Sequence, residues 1–149
     1  MELSDLYSEK ILDIAANPPA APRLADADAS ARKTSRVCGS MIDVDIKVRS
    51  GVIVGYGHDV SACALGQTSA AIVAREIVGT PVDEFRGLRA QMTRMLKEEG
   101  PPPGGKWSDL KYLEPVRDYK PRHTSTLLVF EAVVAALDSI ETKHDDRVA

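Results

Sequence analysis

Apolar and polar residues alternate most regularly between positions 42 and 48 of the chain. Every second residue is apolar and those between are charged: Ile42, Val44, Ile46 and Val48 against Asp43, Asp45 and Lys47. A period of two predicts a β-strand with one buried face. Arg49-Ser50-Gly51 then predicts a turn, and residues 52–57 predict the second strand of an antiparallel hairpin.

Four other segments have the apolar spacing of helices. They are residues 3–16, a small-residue stretch that follows Cys63 and ends at Gly79, residues 81–99, and residues 124–142. Asn17-Pro18-Pro19 ends the first of them, and Thr80 is the predicted N-cap of the third. Residues 18–35 show no steady period and predict an irregular crossing segment, whose length hints at a site that it helps to cover.

These elements predict an α+β fold in which a small antiparallel sheet of about three strands packs against helices. The chain of 149 residues, with 44% hydrophobic content, has the usual size of one domain. We therefore expect a single domain over residues 1–149, with residues 143–149 as a frayed tail.

Composition excludes several classes of partner. The net charge is −3 and no basic patch is interleaved with aromatic residues, which argues against nucleic acid. No apolar run has the length of a membrane span, and the N-terminus lacks the features of a signal peptide. The expected location is the cytoplasm, where the two cysteines stay reduced.

The candidate chemistry lies first in the two thiols, Cys38 and Cys63. Cys38 precedes one strand of the predicted hairpin and Cys63 follows the other, so both fall at the same end of the sheet. Thiolates are preferred ligands of zinc and iron. The alternative is that each is a small buried hydrophobe, which suits the apolar surroundings of Cys63 better than the polar surroundings of Cys38.

Imidazoles are the second source of ligands. His123 lies just before the last predicted helix, whose N-terminal amides favour negative charge. His58 ends the second strand beside Asp59, where a polar edge residue explains it equally well. His144 lies in the charged tail and is expected to be solvated. The alternative for this segment is that Thr124 or Ser125 simply caps the last helix.

Taken in order, these elements resemble the IscU, SufU and NifU N-terminal family of iron–sulfur cluster assembly proteins over nearly the whole chain. LYSEKILDIAANP is similar to the family's first helix, CGSMIDVDIKV to its first cysteine motif, and SACALGQTSAAIVAREIVG to the segment with its second cysteine. The long stretch after Gly79 is similar to the insertion of the SufU type. VRDYKPRHTSTLL resembles the segment before the third cysteine.

The resemblance implies that Cys38 and Cys63 are ligands and that two family positions are altered. Ser125 stands where the third cysteine is expected, or Thr124 does if the register slides by one residue. Ser40 stands where the family has an aspartate. A zinc or cluster site usually needs four donors, so His123 is a candidate substitute, with His58, Asp59 or water as a fourth.

The implied function is that of a scaffold, not an enzyme, which binds an iron–sulfur cluster, iron or zinc. The implied partner is a cysteine desulfurase that passes sulfur to a scaffold cysteine, and a homodimer could pool two thiols from each copy. The alternative is a metal-free relic of the fold that acts as a binding or regulatory module. A thiol enzyme with Cys63 as nucleophile is the weakest hypothesis, since no oxyanion loop is recognisable.

Overall fold

The computed structural model describes residues 6–37 and 39–148, with side chains through residue 142. Its sheet has three antiparallel strands in the order β1 (Ala29–Ser35), β2 (Ser40–Arg49) and β3 (Val52–Ser61). The turn between β2 and β3 is formed by Ser50 and Gly51, whose φ angles of 51° and 75° are both left-handed. This is the backbone of a two-residue hairpin turn whose twist matches that of the strands.

The helices are α1 (Glu9–Ala16), α2 (Ala64–Glu76), α3 (Val82–Lys97) and α4 (His123–Val148), with a long 3₁₀ helix (Gly105–Asp118) and a 3₁₀ turn (Lys120–Arg122) between the last two. Helices α2 and α4 contact the strands of this sheet, and the other helices pack against them. Helix α1 begins at Glu9 because the side chain of Ser8 accepts a hydrogen bond from the amide of Ile11. The predicted α+β class with a three-stranded antiparallel sheet is confirmed.

The alternation in β2 decides which face of the sheet meets the core. Ile42, Val44 and Ile46 are almost wholly buried and face helix α4, which packs across β1 and β2. The buried side chains of the strands and helices form one contiguous apolar cluster. Burial of these side chains is the main stabilising contribution to the sheet–helix packing.

Three predictions about individual elements were wrong. Residues 29–35 form strand β1, although they were expected to be irregular. Helix α3 begins at Val82 with Pro81 as its N-cap, while Thr80 donates its hydroxyl to the carbonyl of Glu76. From sequence, the apolar stretch at residues 107–113 predicts one or two helical turns before a polar connector at residues 117–121, but Gly105–Asp118 is a continuous 3₁₀ helix.

Residues 18–28 form a strap that follows β2 and β3. The carbonyl of Ala21 accepts a hydrogen bond from the amide of His58, and Pro22 lies directly against Gly57. Arg23 forms a bidentate ion pair with Asp45 on the face of β2 opposite the core. These bonds hold the strap to the sheet, and none of them involves Cys63.

Helix α4 passes one test for a membrane span. The window Lys120–Thr142 is long and apolar enough by composition, but 61% of it is buried inside the protein. A helix that packs against a sheet along its length has the burial of a core helix, so this window is weak evidence for a membrane segment. The predicted absence of a membrane partner stays a prediction.

Candidate functional site

Cys63 lies between the end of β3 and the start of α2. It is the N-cap residue of α2, with φ −66° and ψ 171°, but its side chain makes no capping hydrogen bond. The residue is half-buried, with a free thiol. The polar contact of the thiol is with another element rather than with the helix amides.

That contact is Ser125, in the first turn of α4. The Sγ atom of Cys63 lies 3.7 Å from Oγ of Ser125, and the thiol donates to the hydroxyl. The hydroxyl in turn donates to the carbonyl oxygen of Arg122 at 3.2 Å. Ser125 is fully buried, so the pair forms a small polar site in the seam between two helices.

Gly66 explains how α2 comes so close to α4 at this point. A Cβ atom built on Gly66 would lie 3.2 Å from the carbonyl oxygen of Ser125 and 2.8 Å from Cβ of Ala62. A side chain there would push the helices apart and separate the thiol from the hydroxyl. Sequence analysis did not single out Gly66; the small residues around Cys63 were the available signal.

The structure distinguishes the two positions at which a third cysteine was expected. Ser125 is buried against Cys63, while Thr124 is exposed and lines a cleft with Lys97 and Lys120 on the other side of the α4 start. Position 125 is therefore the one that shares a site with Cys63.

The ring of His123 bonds to backbone carbonyls rather than to Cys63 or Ser125. Its ring is 7% exposed, and Nε2 lies 3.0 Å from the carbonyl oxygen of Val116 and 3.1 Å from that of Arg117. Both partners are acceptors, so Nε2 carries the proton and donates to them. This nitrogen has no lone pair for a metal ion, and the ring ties the end of the long 3₁₀ helix to α4.

One ring nitrogen of His58 is also engaged in a hydrogen bond. Its Nδ1 lies 2.7 Å from the hydroxyl of Tyr56. Burial raises the pKa of Tyr56 above its ordinary value and lowers the pKa of His58. The tyrosine therefore stays protonated and donates to Nδ1 of a neutral imidazole. Asp59, its neighbour in sequence, is exposed opposite Asp43.

The remaining predicted site residues belong to the β1–β2 turn. Cys38 lies outside the described residues. Ser40 is 2% exposed and pairs with Ser35 at the end of the sheet where β3 leads to Cys63. Val37 lines a small cavity with Tyr119, Pro121 and Arg122, so the turn contacts the chain that enters α4.

Within residues 6–37 and 39–142, no three His, Cys, Asp or Glu side chains come together as a metal-binding group. The donors that do converge are the thiol of Cys63 and the hydroxyl of Ser125. Any complete ligand sphere at this point therefore needs donors from Cys38, from water or from a second molecule.

Comparison with known proteins decides the family. Residues 6–108 match the NifU-like N-terminal domain. The chain belongs to the NifU-like N-terminal domain family. It is also 48% identical to the N-terminal part of a nitrogen-fixing NifU-like protein from Brucella abortus, whose crystal structure superposes with a TM-score of 0.92 over 95% of this chain and 98% of that one.

Two further relatives of this NifU-like chain extend the comparison. It is 27% identical over 135 residues to the iron–sulfur cluster assembly scaffold protein IscU of Thermotoga maritima, covering 91% of this chain and 94% of the relative. The crystal structure of a putative SUF-system scaffold from Fervidobacterium islandicum, at 18% identity, has the same fold with a TM-score of 0.82 over 91% and 99% of the two chains. The predicted family is confirmed.

Proposed function

We propose that this NifU-like protein is a scaffold for iron–sulfur cluster assembly, with iron or a labile cluster as cargo and Cys38 and Cys63 as its thiol ligands. Family membership and the name of the Thermotoga relative support the scaffold role. The single observation that carries the site is the convergence of Cys63 and Ser125, two positions that are 62 residues apart in sequence.

The distance between these side chains suits a shared metal ion. With metal–sulfur bonds of about 2.3 Å and metal–oxygen bonds of about 2.0–2.2 Å, two ligands of a tetrahedral ion lie about 3.5–3.7 Å apart. The observed separation is 3.7 Å. The hydroxyl of Ser125 could give a lone pair to the ion while it still donates its proton to Arg122, so the local geometry fits a bound ion.

The donor set is chemically weaker than three thiols and a carboxylate. A neutral hydroxyl at position 125 supplies no charge, and Ser40 does not supply the carboxylate that the family motif has. Cargo would therefore be held loosely and released easily, and zinc could occupy the same donors. Two copies that each contribute Cys38 and Cys63 would supply four thiolates, which is the usual ligand number for a cluster.

We infer a role as scaffold or sulfur acceptor rather than catalyst, with a cysteine desulfurase as the sulfur donor. Ser125 cannot accept sulfur as a thiol does, so an acceptor would have to be Cys38 or Cys63. The Nε2 atom of His123 donates to two carbonyls, so His123 could serve as a ligand only through Nδ1.

Anaerobic reconstitution with ferrous iron and sulfide tests the proposal. We expect the wild type to bind iron and sulfide with a thiolate-to-iron absorption band, and Cys38→Ala and Cys63→Ala each to lose most of it. Thr124→Ala, an exposed neighbour of Ser125, is the matched control and should bind as the wild type does. A Cys63→Ala variant that binds as much cluster as wild type would contradict the assignment.

A metal-free binding module is the second candidate function. It is favoured by the absence of a three-residue ligand group in the described part of the chain. Elemental analysis of protein purified without chelators separates the two functions, because the module would contain no stoichiometric iron or zinc under any condition.

A further inference from the structure

Cations without carboxylate partners lie beside the Cys63–Ser125 site. Most described arginines form ion pairs with Asp or Glu: Arg23, Arg32, Arg49, Arg75, Arg86, Arg89 and Arg117. Among the residues that the structure describes, Arg36, Arg94 and Arg122 have no such pair. Two of these three lie at the β1–β2 turn: Arg36 is part of the turn, and Arg122 lines a cavity with Val37 of the turn.

An exposed apolar side chain lies between these cations. Val37 is 66% exposed, the highest value among the large apolar residues that the structure describes. It lines a cavity of about 260 Å³ with Tyr119, Pro121 and Arg122. This cavity is smaller than the about 300–1,000 Å³ of sites for small-molecule ligands, and it suits a single inserted side chain.

We propose that this surface, formed by Arg36, Val37, Pro121 and Arg122 and called here the basic notch, docks an acidic segment of a partner protein. One apolar side chain of the segment would fill the cavity, and flanking carboxylates would pair with Arg36 and Arg122. Buried apolar anchors and arginines are the residue types that dominate binding energy at protein interfaces. The charge of the notch is opposite to that of the chain as a whole, which is −3.

The notch lies close to the proposed ligand site. A role for it in cluster assembly therefore rests on the proposed scaffold function. The carbonyl of Arg122 accepts from Ser125, which contacts Cys63. A partner seated on the notch would therefore lie over the thiol site. Asp118, the nearest acidic residue in this segment, lines a separate cleft beside Lys120. Nucleic acid is disfavoured because two cations on an acidic protein release few counterions.

Fluorescence anisotropy with labelled peptides tests docking on metal-free protein. The probe is the hexapeptide EEDLEE, and EEDGEE is the probe without the anchor. We expect EEDLEE to bind at an ionic strength of about 10 mM, at least about tenfold more tightly than EEDGEE, and to weaken at about 150 mM as the Debye length falls from about 30 to about 8 Å. Equal binding of the two peptides, or no binding at low salt, would overturn the proposal.

Charge reversal locates the binding surface. Arg36→Glu and Arg122→Glu are expected to weaken binding about tenfold or more, and Val37→Ser to remove the preference for leucine. Arg94→Glu, an exposed and unpaired arginine in the last turn of α3, makes the same charge change elsewhere and should have little effect. Equal losses of peptide affinity in all three arginine variants would overturn the assignment of the notch as the binding surface. Tighter binding of a single-stranded oligonucleotide than of a peptide of equal charge would overturn it as well.

These outcomes are separate from those of the metal experiments. Peptide binding is measured without metal, so a protein that binds no iron could still support the notch. A protein that binds iron through Cys63 but ignores the acidic peptide would retain the proposed function and lose this inference.

Discussion

Asp45 shows how much one buried carboxylate contributes to the stability of the fold. Its carboxylate is 2% exposed and accepts hydrogen bonds from the guanidinium of Arg23, the amide of Leu24 and the hydroxyl of Ser30. The bond from Arg23 is the main reason that the pKa of Asp45 is lowered to about 2, with the bonds from Ser30 and Leu24 adding to it. The charged form is therefore the one that holds the strap.

This carboxylate predicts how stability depends on pH. A depressed pKa stabilises the folded state at pH values above the unfolded pKa of about 3.9, and the contribution of about 2 kcal/mol is lost as pH falls from about 4 towards about 2. Asp45→Asn should lose about 2 kcal/mol at pH 7 and show a flatter stability curve between pH 4 and 2. Urea unfolding across this range measures both.

Asp43→Asn is the control for Asp45. Asp43 also pairs with an arginine, Arg32, but that arginine is 63% exposed. An exposed ion pair contributes about 0–1 kcal/mol, so the control should change little. Equal losses for Asp43→Asn and Asp45→Asn would contradict the role given to burial.

Ser125 is the residue at which the ligand set can be altered most directly. Ser125→Cys would put a thiol where the hydroxyl now contacts Cys63. Because thiolate is a better zinc donor than neutral hydroxyl, we expect zinc affinity to rise at least about tenfold, or about 1.4 kcal/mol. Competition with a chromogenic zinc chelator, on protein kept reduced, measures the change.

Thr124→Cys is the matched variant, since it adds the same thiol one residue away on the exposed side of α4. It should leave zinc affinity within about twofold of wild type, or about 0.4 kcal/mol. A gain in Thr124→Cys equal to that in Ser125→Cys would show that proximity to Cys63 is irrelevant.

At the scale of elements, sequence predicted those with a clear apolar period. The hairpin of β2 and β3 and the four helices follow from spacing and from turn residues. Strand β1 could not be found in this way because its sequence, ASARKTS, is nearly all polar or small. It pairs with β2 and packs against α4, and Ala29 is buried, so tertiary contacts rather than alternation make it a strand.

The long 3₁₀ helix shows a period that was not recognised. Its buried residues are spaced by three: Trp107, Leu110, Leu113 and Val116. A 3₁₀ helix has three residues per turn, so this spacing puts one apolar row along one side. The core beneath that row holds the segment in a geometry that is uncommon over such a length.

The candidate site was predictable in its residue types but not in its contacts. The position of Ser125 follows from the resemblance, while its contact with Cys63 depends on how Gly66 lets α2 approach α4. The bonds from the ring of His123 to the carbonyls of Val116 and Arg117 depend on how the long 3₁₀ helix meets α4. The contact of His58 with Tyr56 could have been predicted, because residues two apart on a strand share a face. That Cys38 and Cys63 are ligands stays a prediction.

The strap and the sheet provide a test of close packing between elements. A Cβ atom on Gly57 would lie 2.2 Å from the carbonyl oxygen of Pro22. Gly57→Ala should therefore displace the strap and cost about 1–3 kcal/mol. Gly87→Ala is the control: this exposed glycine of α3 has open space around it, and alanine should stabilise the helix by about 0.5–1 kcal/mol. Thermal and urea unfolding measure both variants.

At the scale of the whole molecule, one end of the sheet gathers the features that concern function. Ser40, Cys63 and the start of α4 lie there, and the basic notch borders them. The rest of the molecule is a core of sheet and helices that fixes this end in position. A single domain and a cytoplasmic location stay predictions.

Ligand binding at that end should stabilise the entire fold. If zinc binds only the folded state, a free concentration of about 100 times Kd adds about 2.7 kcal/mol, which is about 5–10 °C in Tm for a chain of this size. We expect this shift in the wild type and its loss in Cys63→Ala, measured by thermal unfolding. Calcium, which prefers oxygen ligands, is the control; an equal shift with calcium would exclude the thiol site as its cause.

The hydroxyl at position 125 also changes what an oxidant can do to the molecule. Two thiols in contact can close into a disulfide where their Cβ atoms lie about 3.5–4.5 Å apart. Between Cys63 and Ser125 no such cross-link can form. Peroxide would oxidise Cys63 to a sulfenic acid, and because position 125 has no thiol to trap it, further peroxide would convert it to an irreversible sulfinic acid. Oxidation would therefore modify Cys63 without joining α2 to α4 through position 125.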